Sequence, residues 1–505
     1  MLISAVDYYL TRRRGSAVEL LRWVGDYRDL ESIRRFLGDH DQEIQAWARG
    51  RGTRVTSDLR GEQRPVGKKR RASRARFSVT AGRAAYTERM RVLVLLVLAT
   101  SLFGAQPDAR LKEAAENAKP DAMKLLETLV NIDSGTGDAG GAAKVEAILT
   151  ARLQALGAEV KSVPAEEPGL GDNVVATLRG TGRGRILIIS HVDTVFGPGT
   201  AAARPFSVEG TRAHGPGVAD EKGGDVCAIE ALTVLHGMGF HDFDRITVLL
   251  DSSEEIGSTG SRKIIAELAK QHDVEFNMEP GREGTSANGG KSGPDAITVW
   301  RKGSANVEIT VHGRAAHSGN APQNGRNAAV ELIHQLAAID AAFPHTGDGT
   351  TVNLTVMKAG ERTNIIPDLA TAVLNVRYRK ASDFDDVLTR IDAISRTTQV
   401  PDTSVVVEHK PAFPPLFEDA KEDRLAAMAQ GIYGELGRTL GVAGSGGSSE
   451  SALAQAVGIP AVDGLGFDGG DFHTDHEWMD VTSVESRIYL TARLIQILGA
   501  GPDHK

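Results

Sequence analysis

Ile186-Leu-Ile-Ile-Ser-His-Val-Asp-Thr-Val195 decides how this chain folds. Its four leading apolar residues, mostly β-branched, read as a strand buried on both faces, because a strand wetted on one side would alternate polar and apolar positions. The run ends abruptly in His191 and Asp193, two residues apart. In open α/β sheets ligands bind beyond the carboxyl ends of the strands, so these two side chains emerge where a sheet delivers chemistry, the second placed to orient the first. A His-x-Asp at a strand end is equally a structural pair. A site therefore requires matching ligands from elsewhere in the chain.

Upstream, Asn173 to Leu178 reads as a neighbouring strand, joined to the first by Arg179-Gly-Thr-Gly-Arg-Gly184. No helix follows those glycines, so they form a turn rather than a phosphate loop. Leu111 to Val130 and Ala142 to Leu156 have helical periodicity. Downstream, glycines surround Asp220 in Ala213-His-Gly-Pro-Gly-Val-Ala-Asp-Glu-Lys-Gly-Gly-Asp225, and Gly223-Gly224 opens a helix through Val226 to Met238. Such glycines let backbone approach closely, and the helix N-terminus faces Asp220. The strand Ile246 to Leu250 ends in Asp251-Ser-Ser-Glu-Glu-Ile-Gly257. Two adjacent glutamates past a buried strand are costly unless they coordinate or titrate. In an extended segment Glu254 and Glu255 point to opposite sides. A third strand, from Val274, ends at Glu279, and Ile297 to Val311 reads as a hairpin-like pair around Lys302-Gly-Ser.

From about Lys302 to Pro411 the pattern resets to strand, helix, strand, strand, helix: Ala305 to His312, Gly325 to Ala342, Thr351 to Ala359, Ala370 to Arg379 and Asp383 to Thr398. This is an α+β unit of ferredoxin-like size, read as an insertion. The first domain then resumes with a helix at Asp423 to Leu436, a further helix after Gly444-Ser-Gly-Gly-Ser-Ser-Glu-Ser-Ala452, and a last strand at Ile459 to Leu465. That strand leads to Gly469-Gly-Asp-Phe-His-Thr-Asp-His-Glu477 and a terminal helix, Ser483 to Leu498. The glycine-serine stretch contains no G-x-S-x-G nucleophile elbow, which weakens a serine-hydrolase reading.

With 505 residues the chain has room for two or three domains. Its one cysteine, Cys227, excludes an intramolecular disulfide framework and any C-x-x-C metal pair, so a metal must use His, Asp and Glu. Residues 1 to 89 carry 20 Lys+Arg against 11 Asp+Glu, and the remainder 38 against 55. The acidic main part argues against nucleic acid as its partner. Residues 1 to 89 hold no motif and are expected to be a disordered extension, although Leu30 to Arg49 has helical spacing and Lys68 to Arg76 is basic. Two arginines then precede an apolar run from Val92 to Phe103. It is too short for the ~20 residues that span a bilayer and fits a signal-peptide core, with small residues following. The expectation is translation from Met90, a signal peptide over residues 90 to 105, and secretion or periplasmic export without a stable membrane anchor.

His191, Asp220, Glu255, Glu279 and His473 all sit in loops after elements of one domain, separated by 29, 35, 24 and 194 residues, the last gap holding the insertion. One bridging carboxylate plus a histidine and a carboxylate per side gives two metals three protein ligands each and leaves a shared position open, as in a catalytic site. Glu254, beside a ligand but not one itself, is a natural general base.

His191-Val-Asp-Thr-Val, Gly215-Pro-Gly-Val-Ala-Asp-Glu-Lys-Gly-Gly, Ser253-Glu-Glu-Ile-Gly-Ser, Met278-Glu-Pro, Gly313-Arg-Ala-Ala-His-Ser-Gly, Asn364-Ile-Ile-Pro and Gly470-Asp-Phe-His-Thr-Asp together resemble the motif series of the M20 metallopeptidases, and within them the glutamate carboxypeptidase branch. The resemblance covers roughly residues 108 to 502. It implies an α/β catalytic domain of zinc-exopeptidase type, with a mixed sheet between helices, in two parts (108 to 301 and 412 to 502), and an inserted ferredoxin-like dimerisation or lid domain at 302 to 411. It implies two zinc ions, His191 and Glu279 on one, Glu255 and His473 on the other, Asp220 bridging. Asp193 then orients His191, Glu254 is the general acid/base, and His317 reaches the partner subunit's active site in a homodimer. Asn364 and Arg377 match positions that hold the substrate carboxylate. Arg377 suits this, since a guanidinium fork binds a carboxylate bidentately. Lys410 stands where arginine is expected, and Ser449-Glu450 replaces Ser/Thr-Asp in a region expected to line the substrate pocket; both bear on glutamate selectivity.

The sequence thus predicts an exported carboxypeptidase that hydrolyses the amide bond to a C-terminal glutamate or similar residue by a metal-bridging hydroxide. The alternative is an N-acyl-amino-acid deacylase or dipeptidase of the same fold. The substrate is a small peptide or N-acyl amino acid. Carboxylate and imidazole ligands also suit cobalt or manganese, so zinc rests on the resemblance.

Overall fold

In the computed structural model, which describes residues 106–285 and 291–501, the chain opens with helix α1 (Ala109–Val130), capped by Asp108, whose carboxylate accepts from the amides of Arg110 and Leu111. The apolar stripe Leu111, Ala115, Ala122, Leu125, Leu126 and Leu129 faces the core. Helix α2 (Ala139–Ala155) follows, capped by Asp138. Strands β1 (Glu159–Val163), β2 (Asn173–Arg179) and β3 (Arg185–His191) come next, then helix α3 (Lys222–Gly237) and strands β4 (Arg245–Asp251) and β5 (Val274–Asn277). The extension 1 to 89 and the signal-like segment 90 to 105 lie outside the described residues. No described helix is long and apolar enough to cross a membrane.

β3 lies at the centre of the six-stranded sheet, parallel to β4 on one side and β5 on the other. Ile186 and Ile188 pack into the large core with α1 and α3, while Leu187 and Ile189 pack into a second core on the opposite face with Ile265, Leu268 and Ala454. Burying side chains of this size stabilises by roughly 1.5–3 kcal/mol each. Because the three strands run parallel, the residues at and just beyond their carboxyl ends, His191, Glu254-Glu255 and Glu279, open onto one edge of the sheet.

The insertion contributes β6 (Gly303–His312), α4 (Ala328–Ala342), β7 (Thr351–Ala359), β8 (Leu369–Tyr378), α5 (Ala381–Ser395) and β9 (Ser404–Phe413). They form an antiparallel sheet in the order β7-β8-β6-β9, with a core of their own made by alternate strand residues such as Val307, Ile309, Leu374 and Val376 beneath both helices. The fourth strand, β9, was not expected from the sequence. Nor is there a hairpin at Lys302: Lys291–Arg301 belongs to a separate seven-stranded sheet, and the chain crosses from one sheet to the other. It does not turn because the Arg301 and Lys302 amides are taken by the carbonyls of Leu416 and Ser445.

The chain then returns through α6 (Ala420–Glu435), β10 (Ala461–Val462), which extends the first sheet beside β5, and α7 (Val484–Gly499). The expected strand Ile459 to Leu465 shrinks to those two residues. Gly441–Ser445, inside a glycine-rich stretch that reads as loop, is a strand pairing parallel with Lys291–Arg301. The edge strand β1 also escaped the sequence, since its outward-facing Glu159, Lys161 and Ser162 give no apolar signal.

Candidate metal centre

The five ligand-type residues converge. Around His191 Nε2 lie Asp220 Oδ1 at 3.3 Å and Glu279 Oε1 at 3.9 Å. Around His473 Nε2 lie Asp220 Oδ2 and Glu255 Oε2, both at 3.2 Å. Each oxygen of Asp220 thus faces a different histidine, and the donor atoms of each triad lie within 4.8 Å of one another. His191 is buried, whereas the His473 side chain is half-exposed. His473 has a backbone φ of 62°, and Asp471 one of 55°. Non-glycine residues in this left-handed region carry strain and concentrate at functional sites.

The residues present fit a pair of divalent cations. Asp220, Glu221, Glu254, Glu255 and Glu279 crowd a largely buried space with two imidazoles and with Arg301, whose charge is shared with Asp463. Buried like charges of this kind require a counter-charge. Protons fill that role in part. Burial disfavours the charged form of His191, but Glu221, Asp193 and Asp220 outweigh it and raise its pKa well above the ordinary value. His473 is pushed up to about 11 by its contacts with Asp220 and Glu255. Burial raises Glu279 to about 7. His191 Nε2 and Glu255 Oε1 are buried without a hydrogen-bond partner, although charged groups lie beside them. Carboxylate and imidazole donors in sets of three suit zinc, cobalt or manganese.

Asp193 meets His191 twice, its backbone carbonyl lying 3.1 Å from His191 Nδ1. Its Oδ1 lies 3.3 Å from His191 Nδ1. The same carboxylate accepts the amides of Glu254 (3.2 Å) and Glu255 (3.4 Å) and the hydroxyl of Thr136 (2.6 Å). Glu254–Ile256 is one turn of 3-10 helix, so the expected extended geometry is wrong. The two glutamates diverge because successive residues of that helix, at three per turn, differ by about a third of a revolution. The left-handed Gly257 (φ 97°) ends the turn. Because one carboxylate supports both a ligand and the turn, Asp193→Ala is expected to weaken metal affinity by roughly 10–100-fold. Titration of metal-free protein with zinc against a chromophoric chelator measures this.

Three further residues were not singled out from the sequence. Glu221 Oε2 lies 3.3 Å from His191 Nε2, and its other oxygen accepts from Ser190. Glu477 accepts the amides of Gly217, Ala219 and Asp220 at 3.0–3.1 Å, fastening the turn that carries Asp220 to the segment that carries His473. Its position four residues after His473 was the available signal. Arg301, fully buried, grips both oxygens of Asp463 (2.6 and 2.8 Å) and Glu279 Oε2 (2.8 Å), leaving Glu279 Oε1 toward His191. Nothing local in the sequence marks it. The glycines around Asp220 do permit close approach: a Cβ on Gly224 would lie 2.0 Å from the Met278 carbonyl, so only glycine lets α3 start against the strand end that carries Glu279.

Of the residues expected to hold substrate, Arg377 on β8 comes nearest. It is half-buried and donates to Asn375 Oδ1 (2.9 Å) and Ser448 Oγ (3.4 Å); burial lowers its pKa, and the charge of Glu254 offsets this only in part. His317 and Asn364 lie together on a small ribbon in which Ala316–His317 pairs with Ile365–Ile366. None of the hydrogen bonds of His317 reaches the cluster. Its Nδ1 accepts from Gly319 and Asn320, which leaves the proton on Nε2. Lys410, with its side chain 71% exposed, pairs with Glu308 at 3.0 Å on the open face of the sheet. Glu450, expected to line the substrate pocket, is instead buried, accepting from Ser258 beside Asp251, while Ser449 donates to Asp463. A cavity of about 670 Å³ abuts the cluster at Glu255, lined by Thr136, Asp138, Phe196 and Ile256.

Residues 187–497 match the model of peptidase family M20/M25/M40. The chain is 37% identical over 420 residues to carboxypeptidase G2 of Pseudomonas sp. (strain RS-16), covering 81% of this chain and 97% of that protein. It is 27% identical over 395 residues to the succinyl-diaminopimelate desuccinylase of Methylorubrum populi, covering 74% and 97%. Among solved structures, a tripeptidase from Staphylococcus aureus superposes with a TM-score of 0.64 at 22% identity, over 76% of this chain and 99% of that one, which shows the shared fold.

Proposed function

The chain belongs to peptidase family M20/M25/M40, and from that premise we propose that it is a dizinc carboxypeptidase that removes a C-terminal glutamate or similar residue from a small peptide or N-acyl amino acid. The observation that carries this reading is the pair of triads sharing Asp220, with Glu254 beside them and engaged in neither. His191, Glu279 and Asp220 would hold one ion and Glu255, His473 and Asp220 the other. When bound, the ions supply Lewis acidity and lower the pKa of water.

The protein's own groups then do the rest. Glu254, held by Asp193 through its backbone amide, takes a proton from water and returns it to the leaving amine. Arg377 presents its guanidinium to the substrate's terminal carboxylate. His317, with its Nε2 proton free, steadies the oxyanion of a neighbouring subunit. A homodimer through the 302 to 411 domain fits the exposed Ile333, Leu354, Val356 and Met357, which lie on and beside the edge strand β7. Mixing His317→Ala with Glu254→Gln subunits is expected to restore part of the activity, since one composite site of the heterodimer escapes both lesions. No recovery in verified heterodimers overturns the sharing. Export from Met90 belongs to the same proposal and is checked by N-terminal sequencing of secreted protein.

The likeness to a desuccinylase favours a second reading, deacylation of N-acyl amino acids, which differs only on the acyl side of the bond. Elemental analysis with reconstitution, followed by assays on folyl-glutamates, dipeptides and acetylated amino acids, tests both readings. Protein that purifies without metal and gains no activity on adding zinc, cobalt or manganese sinks them.

A further inference from the structure

Among the described residues the two fully buried arginines are neutralised. Arg301 holds Asp463 and Glu279, and Arg487 holds Asp468. Arg282, three residues beyond Glu279 on the strand Gly281–Thr285, is different. It is half-buried, Nη2 donates to Ser445 Oγ at 3.2 Å, and its guanidinium carbon stands 5.4 Å from the ring centroid of Phe472, next to His473. Its Nε is buried without a hydrogen-bond partner. Among the described residues no carboxylate lies within ion-pair distance of it. Arg377 shares this condition, with Asn375 and Ser448 as its hydrogen-bond partners. The two cations therefore flank one short turn, Arg282 at Ser445 and Arg377 at Ser448, on the side of the metal centre where Glu279 lies.

Withdrawing a guanidinium from water without a counter-charge is costly. Burial lowers the pKa of Arg282, and the neighbouring Arg301 adds repulsion that Glu279, Asp463 and Asp220 relieve only from a distance. A site that keeps two such cations at the two ends of one short turn is completed by an anion from outside. A guanidinium beside an aromatic ring offers a planar fork suited to a carboxylate.

We propose that Arg282 is a specificity-determining residue that receives the side-chain carboxylate of an acidic C-terminal residue, while Arg377 takes the terminal carboxylate. This rests on the carboxypeptidase reading above and adds to it the reason an acidic residue is selected. A substrate with two carboxylates spans both ends of the Ser445–Ser448 turn, and its uncharged isostere leaves Arg282 desolvated and unpaired.

The test uses the full metal-loaded chain and the variants Arg282→Met and Arg282→Lys. The first readout is the ratio of kcat/KM for N-acetyl-L-glutamate over N-acetyl-L-glutamine. Losing a desolvated charge pair is expected to reduce this ratio by roughly 30- to 10³-fold in Arg282→Met, with Arg282→Lys between it and the parent. An unchanged ratio, whether both rates fall together or neither falls, overturns the proposal. The second readout is calorimetric binding of free L-glutamate against L-glutamine, which needs no turnover. A preference for glutamate that disappears in Arg282→Met supports the assignment; equal affinities in the parent protein overturn it. If the parent binds glutamate selectively but hydrolyses neither substrate, the carboxypeptidase reading fails while the anion site stands. Metal content and melting temperature of each variant distinguish a collapsed site from an altered one.

Discussion

Glu254→Gln is expected to lower kcat by ~10²- to 10⁴-fold, the usual contribution of a positioned proton-transfer group, while the protein still binds two metals and substrate. Glutamine keeps the shape of the side chain and removes the base. Glu254 touches neither histidine, whereas its neighbour Glu255 lies 3.2 Å from His473 Nε2. Burial, reinforced by Glu279, Glu255 and Asp220 against the pull of His191, raises the Glu254 carboxyl well above the ordinary range in the metal-free protein. Cations bound beside it would favour the carboxylate and lower that value, as a group that must first take a proton requires. Glu255→Gln is expected to behave in the opposite way: metal content falls first, and excess metal restores part of the rate. Metal stoichiometry and kcat measured together on both variants decide the matter. Metal loss in Glu254→Gln but not in Glu255→Gln would exchange the two roles, and near-normal turnover in Glu254→Gln would remove the proposed base altogether.

Arg301→Met is expected to destabilise the protein by about 3–5 kcal/mol, the cost of leaving buried charges without their partner. Two carboxylates are exposed to that loss. Asp463 would retain only the hydroxyls of Ser449 and Ser451, and Glu279 would lose the contact that holds Oε2 away from the histidine. Stability and metal binding should therefore fall together, the second through a ligand free to turn. Arg301→Met combined with Asp463→Leu should recover part of the loss, because replacing both members of a buried pair with apolar side chains is far less costly than orphaning one. Urea denaturation of the metal-free variants, followed by zinc titration, measures both effects. A single variant that loses less than about 1 kcal/mol, the range of an exposed pair, would show that Arg301 is not the anchor its burial implies.

The sequence by itself determined the frame and the residue types of the centre. An apolar run without alternation made β3 a strand covered on both faces, and the structure gives its two sides to separate cores. Ligand-type residues placed after strand ends and in a glycine-rich turn were legible because parallel strands open their carboxyl ends on one edge of a sheet. The inserted unit was legible as a change of periodicity, apart from β9. What tertiary structure decided was the partner of each side chain. Glu254 and Glu255 diverge through a 3-10 turn held by Asp193, not through an extended strand. Lys410 pairs with Glu308, and Glu450 turns inward to Ser258 and Asp251, though their neighbourhood in sequence pointed to substrate. Glu477 on the Asp220 turn, Arg301 on Glu279 and Arg282 beside Ser445 join residues 257, 22 and 163 positions apart. Periodicity and turn chemistry act over a few residues, but a buried charge takes as its partner whatever group the packing of remote segments brings beside it, and that choice leaves no mark in the local pattern.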